Sequence, residues 1–417
     1  MTLTQSQAEP GLKREEEASL TSGILLVGGT SIGAGMLALP LVTGIAGFFP
    51  AMVVNTLCWL FMLATGLLLL EATLWMKDGE HLLSVAQKIL GPIGKLICGI
   101  SFVFLYYCLL VSYIAGGTPL FVETIGSYLG LHFVGFSGYF LFASLLGFLI
   151  FLGHRVVDRT NKLFVISLIF SYVLLVSIGS TEVKASYLFR REWGLTMMGA
   201  PIFFSAYGYH NIIPSMTGYL KRNVNKLRLS IIVGTAIPYL VYSLWQWMII
   251  GTLAQDAIAS TAAEGTPITL ALQKMTGNPW ISGLGAYFGF FALVTSFLGV
   301  SLSMVDFFGD GLKLPRQGIS RAGLCFLVFL PPTLFAAVKP DIFASALSLA
   351  GGFGEAILNG LFPIAFVWIG RYRMKLNSQR QLPGGRVMLI ILALATFWII
   401  GLEIQSLFGA WFNADGF

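Results

Sequence analysis

Two stretches of helix-breaking residues interrupt spans that are otherwise apolar: 28–40, reading GGTSIGAGMLALP, and 204–215, reading FSAYGYHNIIPS. Each places Gly, Ser, Asn or Pro where an unbroken membrane helix would carry Leu and Val. Backbone that leaves the helix at membrane depth must satisfy its N–H and C=O groups from neighbouring protein or a wet cavity. Two such breaks at corresponding places in two halves of a chain point to a midplane binding site of the kind found in secondary transporters.

The setting is a membrane. The chain is 56% hydrophobic and 11% charged, with a mean hydropathy of +0.82, where a soluble domain carries about 25% charged residues. Apolar stretches of about 20 residues predict an all-α polytopic protein of eleven transmembrane helices, over 22–46, 48–76, 93–122, 134–153, 160–179, 195–217, 227–251, 281–307, 320–337, 341–370 and 387–411. Residues 47–50 read as a tight turn, the tenth span is long enough to be tilted or bent, and 254–278 is too polar to span. The acidic, polar start (KREEE at 13–17) does not read as a signal peptide, so the first helix is expected to be retained. Cys58, Cys98, Cys108 and Cys325 all fall in apolar spans without metal or redox spacing and read as small buried hydrophobes.

The formal charge of +6 does not indicate nucleic acid, because its Lys and Arg lie in short loops between spans. With the N-terminus inside, only Lys184, Arg190, Arg191, Lys274 and Lys339 of the 25 basic residues fall outside. The positive-inside rule then predicts a cytoplasmic N-terminus and an outer C-terminus. The breaks in helices 1 and 6 lie about 175 residues apart, the starts of helices 3 and 8 about 188, and those of helices 5 and 10 about 181. A near-constant offset over five spans predicts two five-helix repeats, the second inverted because five is odd. The expected units are a cytoplasmic tail at 1–20, a first repeat at 21–180, a second at 194–370, and an eleventh helix with a short outer tail at 386–417.

In the first break Gly28, Gly29, Gly33 and Gly35 bracket Thr30 and Ser31. Unwinding there would present the N–H groups that open the second half-helix, where the dipole favours an anion; the competing reading is a small-residue packing seam. In the second break Pro214 removes the donor that would serve the carbonyl near His210. A free carbonyl suits an ammonium group, which has only donors. His210 and Asn211 are costly at this depth unless partnered, which makes them functional candidates, with a satisfied structural role as the alternative. Glu355 lies at the middle of the tenth span, where an ionised carboxylate costs about 2.5–3.5 kcal/mol. A carboxyl protonated in one state and ionised in another is what a proton carrier needs; the plain reading is a helix clamp to Asn359. Lys162 either snorkels to the surface or faces helix 1 as a titrating group. Tyr107 and Tyr113 are candidates for the cavity wall, since a buried tyrosine hydroxyl needs a partner. Glu71 and Asp306, near inner helix ends, read as structural or gating groups, Glu403 ranks low, and Trp245 and Trp247 read as packing. No metal cluster or catalytic triad is found, which argues against an enzyme, and two broken helices argue against a channel.

These motifs resemble those of the bacterial hydroxy and aromatic amino acid permease family, whose members include tyrosine- and tryptophan-specific carriers within the amino acid–polyamine–organocation superfamily. The resemblance is carried by VGGTSIGAGMLALP at 27–40, FSAYGYHNIIPS at 204–215, VDFFGDGL at 305–312 and LAGGFGEAILNGLFP at 349–363, and it covers nearly the whole chain from about residue 20. It implies a leucine-transporter-type fold in the bacterial inner membrane and symport of an aromatic amino acid with a proton, without cofactor or obligate protein partner. By the same resemblance, the backbone at Ser31, Gly33, Ala34 and Gly35 would hold the substrate carboxylate. Carbonyls near Thr30 and at Ser205, Ala206 and Tyr207 would hold the amine. Read from the residues themselves, Tyr107, His210 and Asn211 are further candidates for contact with the substrate. Glu355, His210 and Lys162 are the proton-coupling candidates. Sodium coupling through Ser301 and Ser303, and a hydroxy or other neutral amino acid as substrate, are the alternatives.

Overall fold

A computed structural model describes residues 19–77, 80–130, 135–275, 278–376 and 379–414; most of the tail expected at 1–20, with Lys13 and Arg14, and the end of the 386–417 unit lie outside the described residues. The described residues are helical without strands. Among the described residues, eight helices are long and apolar enough to cross a membrane, or nine when a bent pair at the start counts as one span. Two of the eleven expected spans fall short of that length. One is a 16-residue apolar helix and the other is split at its middle.

The first span divides into α1 (Leu20–Ser31) and α2 (Leu39–Thr43), joined through a single 3₁₀ turn at Ala34–Leu37. The two halves meet at 44°. Gly47, at φ +100°, turns the chain into α3 (Phe48–Leu74). A Cβ on Gly47 would lie 2.1 Å from the Arg190 carbonyl oxygen, so the position needs glycine for both its dihedral and its space. Next come α4 (Leu82–Leu129), kinked at Gly91–Pro92, α5 (Ser137–Leu152), α6 (His154–Gly179) and the short α7 (Ala185–Leu188). The sixth span is split into α8 (Ala200–Ala206) and α9 (Ile213–Tyr219).

Then come α10 (Val224–Thr252), α11 (Gln255–Ala263), α12 (Ile268–Met275), α13 (Pro279–Leu312) and α14 (Gly318–Val338). Asn223 and Asn278 cap α10 and α13 by accepting from the N–H groups of Lys226 and Trp280, both at 3.0 Å, which satisfies donors the helix leaves open. The polar 254–278 segment forms α11 and α12, and these do not span. Ile258 of α11 packs on Gly44 and Thr269 of α12 on Gly289, closing one end of the bundle over α2 and α13.

The long tenth span is α15 (Phe343–Leu349), a π-helix at Ala350–Leu361, and α16 (Phe362–Tyr372), followed by α17 (Gly385–Ala414). A twelve-residue π stretch is unusual, since wide turns occur mostly as single bulges at functional sites. Here Gly351, Gly352 and Gly354 let neighbouring elements approach: Cβ atoms there would lie 1.7 Å from the Pro201 carbonyl oxygen, 2.6 Å from Glu403 Cγ and 2.8 Å from Leu105 Cβ. The core runs through α3, α8, α10, α13 and the π-helix, with Phe203, Phe204, Trp245, Phe288 and Phe297 fully enclosed. By contrast α6 exposes Leu163, Ile166, Ile169, Phe170 and Val173, and α17 exposes Val387, Ile390, Ile391, Leu394, Phe397 and Trp398. Apolar stripes of that extent suit lipid rather than water.

Candidate substrate site

The two breaks cross at the centre of the bundle. α1 ends at Ser31, Ile32 and Gly33 run extended, and helical winding resumes at Ala34. In the second break α8 ends at Ala206, and Tyr207–Tyr209 stay out of the helix until a 3₁₀ turn at His210–Ile212 leads into α9. Gly35 of the first break rests on the backbone of the second: a Cβ there would be 2.8 Å from Ala206 Cα and 3.4 Å from its nitrogen. No side chain separates the two peptide planes. The missing Cβ brings the peptide dipoles of one break against those of the other.

Two helices supply the polar partners that the freed backbone requires. The Ala34 N–H donates to Ser296 Oγ of α13 at 3.0 Å. The Tyr242 hydroxyl of α10 lies 2.6 Å from the Ser31 carbonyl oxygen and 2.8 Å from that of Ala206, one from each break. Trp245 Nε1 donates to the Met36 carbonyl at 2.9 Å. Ser296 approaches this closely because residue 33 is glycine, whose Cβ would stand 2.2 Å from Ser296 Oγ. Tyr113, buried on α4, faces Ser296.

Around the second break the side chains make specific bonds. Tyr207 donates to Asn55 Oδ1 of α3 at 2.6 Å, and Asn55 donates in turn to Ser243 Oγ at 3.0 Å. Tyr209 donates to the Met62 carbonyl at 3.1 Å. His210 Nε2 lies 3.0 Å from Thr65 Oγ1, which itself donates to the carbonyls of Phe61 or Met62. Either group can donate in that pair, according to the imidazole tautomer. Nδ1 is buried with no partner among the described residues. Asn211 is exposed and donates to the Tyr106 hydroxyl at 3.1 Å. Ser205 is half-buried, its Oγ enclosed and without a partner among the described residues.

Glu355 projects from the π-helix at the second break: one carboxyl oxygen lies 2.5 Å from where a Gly208 Cβ would be, and the other accepts from Asn359 Nδ2. The clamp to Asn359 therefore exists, and so does contact with the break. Wide π winding and a glycine opposite are what admit the carboxyl there.

Three candidates lie elsewhere. The Tyr107 hydroxyl donates to the Leu327 carbonyl of α14 at 2.8 Å, so it braces two helices and does not line the crossing. Thr30 turns its side chain to an exposed face and bonds back to the Leu26 carbonyl at 2.7 Å, as threonine does inside helices. Lys162 is exposed on α6, where the long stem reaches polar surroundings. Glu71 forms a bidentate pair with Arg371 of α16, both contacts at 2.6 Å, and accepts the Gln381 N–H at 2.8 Å. Asp306 lies 3.3 Å from both His154 and Arg316. Glu403 accepts the Ser348 hydroxyl at 2.6 Å.

Ser296, Tyr242 and Asn55 were not legible as site residues. A serine or tyrosine within an apolar span carries no local mark of the helix it faces. Trp245, expected to pack, also holds a backbone carbonyl.

A crossing of two unwound segments walled by hydroxyls, with a carboxyl at its edge, offers backbone donors and acceptors together. That is the complement of a zwitterion. Residues 16–402 match the tryptophan/tyrosine permease family. The chain belongs to that family. It is accordingly a multi-pass membrane permease and not an enzyme. Among relatives of this permease, the tyrosine-specific transport system 1 of Haemophilus influenzae is 31% identical over 389 residues, covering 92% of this chain and 94% of its own. The tyrosine-specific transport system 2 of the same organism is 31% identical, covering 88% and 91%. The tryptophan-specific transport protein of Pseudomonas aeruginosa is 28% identical, covering 82% and 85%.

Proposed function

We propose that this permease imports tyrosine, tryptophan or both across the bacterial inner membrane by proton symport, binding the amino acid at the crossing of the two breaks. The contact of Gly35 with Ala206, with Tyr242 joining a carbonyl from each break, is the observation that carries the reading. The N–H groups from Gly33 to Gly35 take the carboxylate, and the carbonyls of Ser31 and Ala206 take the ammonium. The permease has eleven spans, counting Ser137–Leu152 and the split 200–219 segment, in a leucine-transporter-type 5+5 inverted repeat over 21–180 and 194–370. Reciprocal contacts support that symmetry. The first break bonds to the eighth span through Ala34 and Ser296, and the second bonds to the third span through Asn211 and Tyr106. The N-terminus lies inside and the C-terminus outside, as the distribution of Lys and Arg requires.

Glu355 is the proton carrier in this reading, since its carboxyl touches the second break at Gly208. One proton descending ~150 mV supplies roughly 3.5 kcal/mol, which sustains more than about a hundredfold accumulation at about 1.4 kcal/mol per decade. Sodium coupling is the second reading. It is favoured by the buried Ser301 hydroxyl, which has no partner among the described residues. Purified permease in liposomes, given labelled tyrosine or tryptophan with an imposed pH gradient, tests both. Uptake that follows the gradient without sodium is expected; uptake that requires sodium and ignores a protonophore at fixed potential would transfer the coupling role to sodium.

A further inference from the structure

Both poles of the proposed zwitterion site are already occupied by side chains of the permease itself. The Ala34 N–H, one of the donors assigned to a carboxylate, is held by the Ser296 oxygen at 3.0 Å. The carbonyls of Ser31 and Ala206, assigned to an ammonium, both face the Tyr242 hydroxyl. Most of the parts involved are enclosed: Ala34 and Tyr242 are fully buried, Ser31 and Ala206 nearly so, and Ser296 is half-buried. Unpaired backbone groups in such a place would be costly, so the two hydroxyls fill a role that any bound partner would otherwise have to fill.

The match of each stand-in is incomplete in a way that favours exchange. A phenol has one proton, so Tyr242 can serve only one of its two carbonyls fully at a time. An ammonium brings three donors and a positive charge, and bonds with an ionised partner are roughly twice as strong as neutral ones. Ser296 likewise offers a neutral oxygen where a carboxylate offers two charged ones. The two hydroxyls also come from different helices, α13 and α10, so both helices are tied to the first break.

We propose that Ser296 and Tyr242 act as a built-in mimic of the amino acid backbone, Ser296 standing for the carboxylate and Tyr242 for the ammonium, and that substrate binds by displacing both. Displacement breaks the hydrogen bonds by which α13 and α10 hold the first break, linking occupancy to release of the break itself. This rests on the amino acid site proposed above, and makes Ser296 and Tyr242 positioning residues that tune affinity through competition.

Such competition has a signature that a structural strut lacks. Displacement of labelled tyrosine from the full-length permease is measured with L-tyrosine, with 3-(4-hydroxyphenyl)propionate, which has no amine, and with tyramine, which has no carboxylate. Ser296→Ala removes the carboxylate stand-in, so the amine-free acid should bind about two- to tenfold tighter and tyramine unchanged, from the net worth of one hydrogen bond. Tyr242→Phe should do the reverse. Either variant weakening both analogues, or shifting them alike, overturns the proposal. Should Tyr242→Phe not fold, 3-fluorotyrosine at 242 reports the same event, its ¹⁹F resonance moving on saturation with L-tyrosine; an unmoved resonance overturns the proposal equally. Failure of the wild type to bind labelled tyrosine or tryptophan would remove the site itself and this proposal with it. Normal wild-type binding with undifferentiated variants would remove the mimic alone.

Discussion

Gly35→Ala asks whether the backbone crossing is the binding site. The added Cβ would stand 2.8 Å from Ala206 Cα and 3.1 Å from its Cβ. Carbon atoms settle at about 3.5–4.0 Å, so the two breaks must part by about 0.7 Å or more. The obstructing atoms are backbone, which cannot swing aside as a side-chain tip would. Tyr242 cannot then keep both of its carbonyl contacts at 2.6 and 2.8 Å. Overpacking of this kind costs about 1–3 kcal/mol. Charged to the bound state, that weakens substrate roughly 5- to 140-fold at about 1.4 kcal/mol per tenfold. The assay is equilibrium binding of labelled tyrosine and tryptophan to purified permease, with a thermal-unfolding midpoint to show that the variant is folded. Gly29→Ala is the control, because a Cβ there meets nothing within 4 Å. A folded Gly35→Ala permease that binds within twofold of wild type would refute the crossing as the site.

Glu355→Gln should exchange substrate across the membrane while losing proton-driven accumulation, read as counterflow against uptake under a pH gradient; unchanged concentrative uptake removes Glu355 from coupling. Gly33→Val would drive a side chain into Ser296 Oγ, 2.2 Å from its Cβ, and should abolish binding while leaving membrane insertion intact, checked by binding and by membrane fractionation. Glu71 and Arg371 are 1% and 5% exposed, so removing one partner strands a buried charge at about 3–5 kcal/mol. Arg371→Met should lower the unfolding midpoint markedly and Glu71→Leu with Arg371→Met should recover much of it, as thermal unfolding of each variant would show.

Much of the architecture was legible before any coordinates, because a bilayer leaves few choices. Apolar runs of sufficient length must become helices, and interruptions rich in Gly, Ser and Pro had to mark where helices stop. Both breaks fall where the sequence places them, at Ile32–Gly33 and Tyr207–Tyr209. Less legible was the winding of Ala350–Leu361. A π-helix bonds each carbonyl to the fifth residue on rather than the fourth, a small change of period that no apolar pattern over twelve positions resolves.

Partner choice was decided by tertiary structure alone. Ser296 lies 262 residues from Ala34 and Tyr242 lies 211 from Ser31. A hydroxyl in an apolar span can bond to its own preceding turn, as Thr43 does with the Leu39 carbonyl at 2.8 Å, or reach another helix. Both have the same local sequence context, and only the rotation and crossing of the helices separate them. For the same reason Tyr107 reads from sequence like Tyr113, yet one braces α14 and the other faces Ser296. Residue types within each span set where the backbone must open, since they control whether a helix can continue. Which side chains close around the opening depended on how the helices pack, because that information is carried between spans rather than within any one of them.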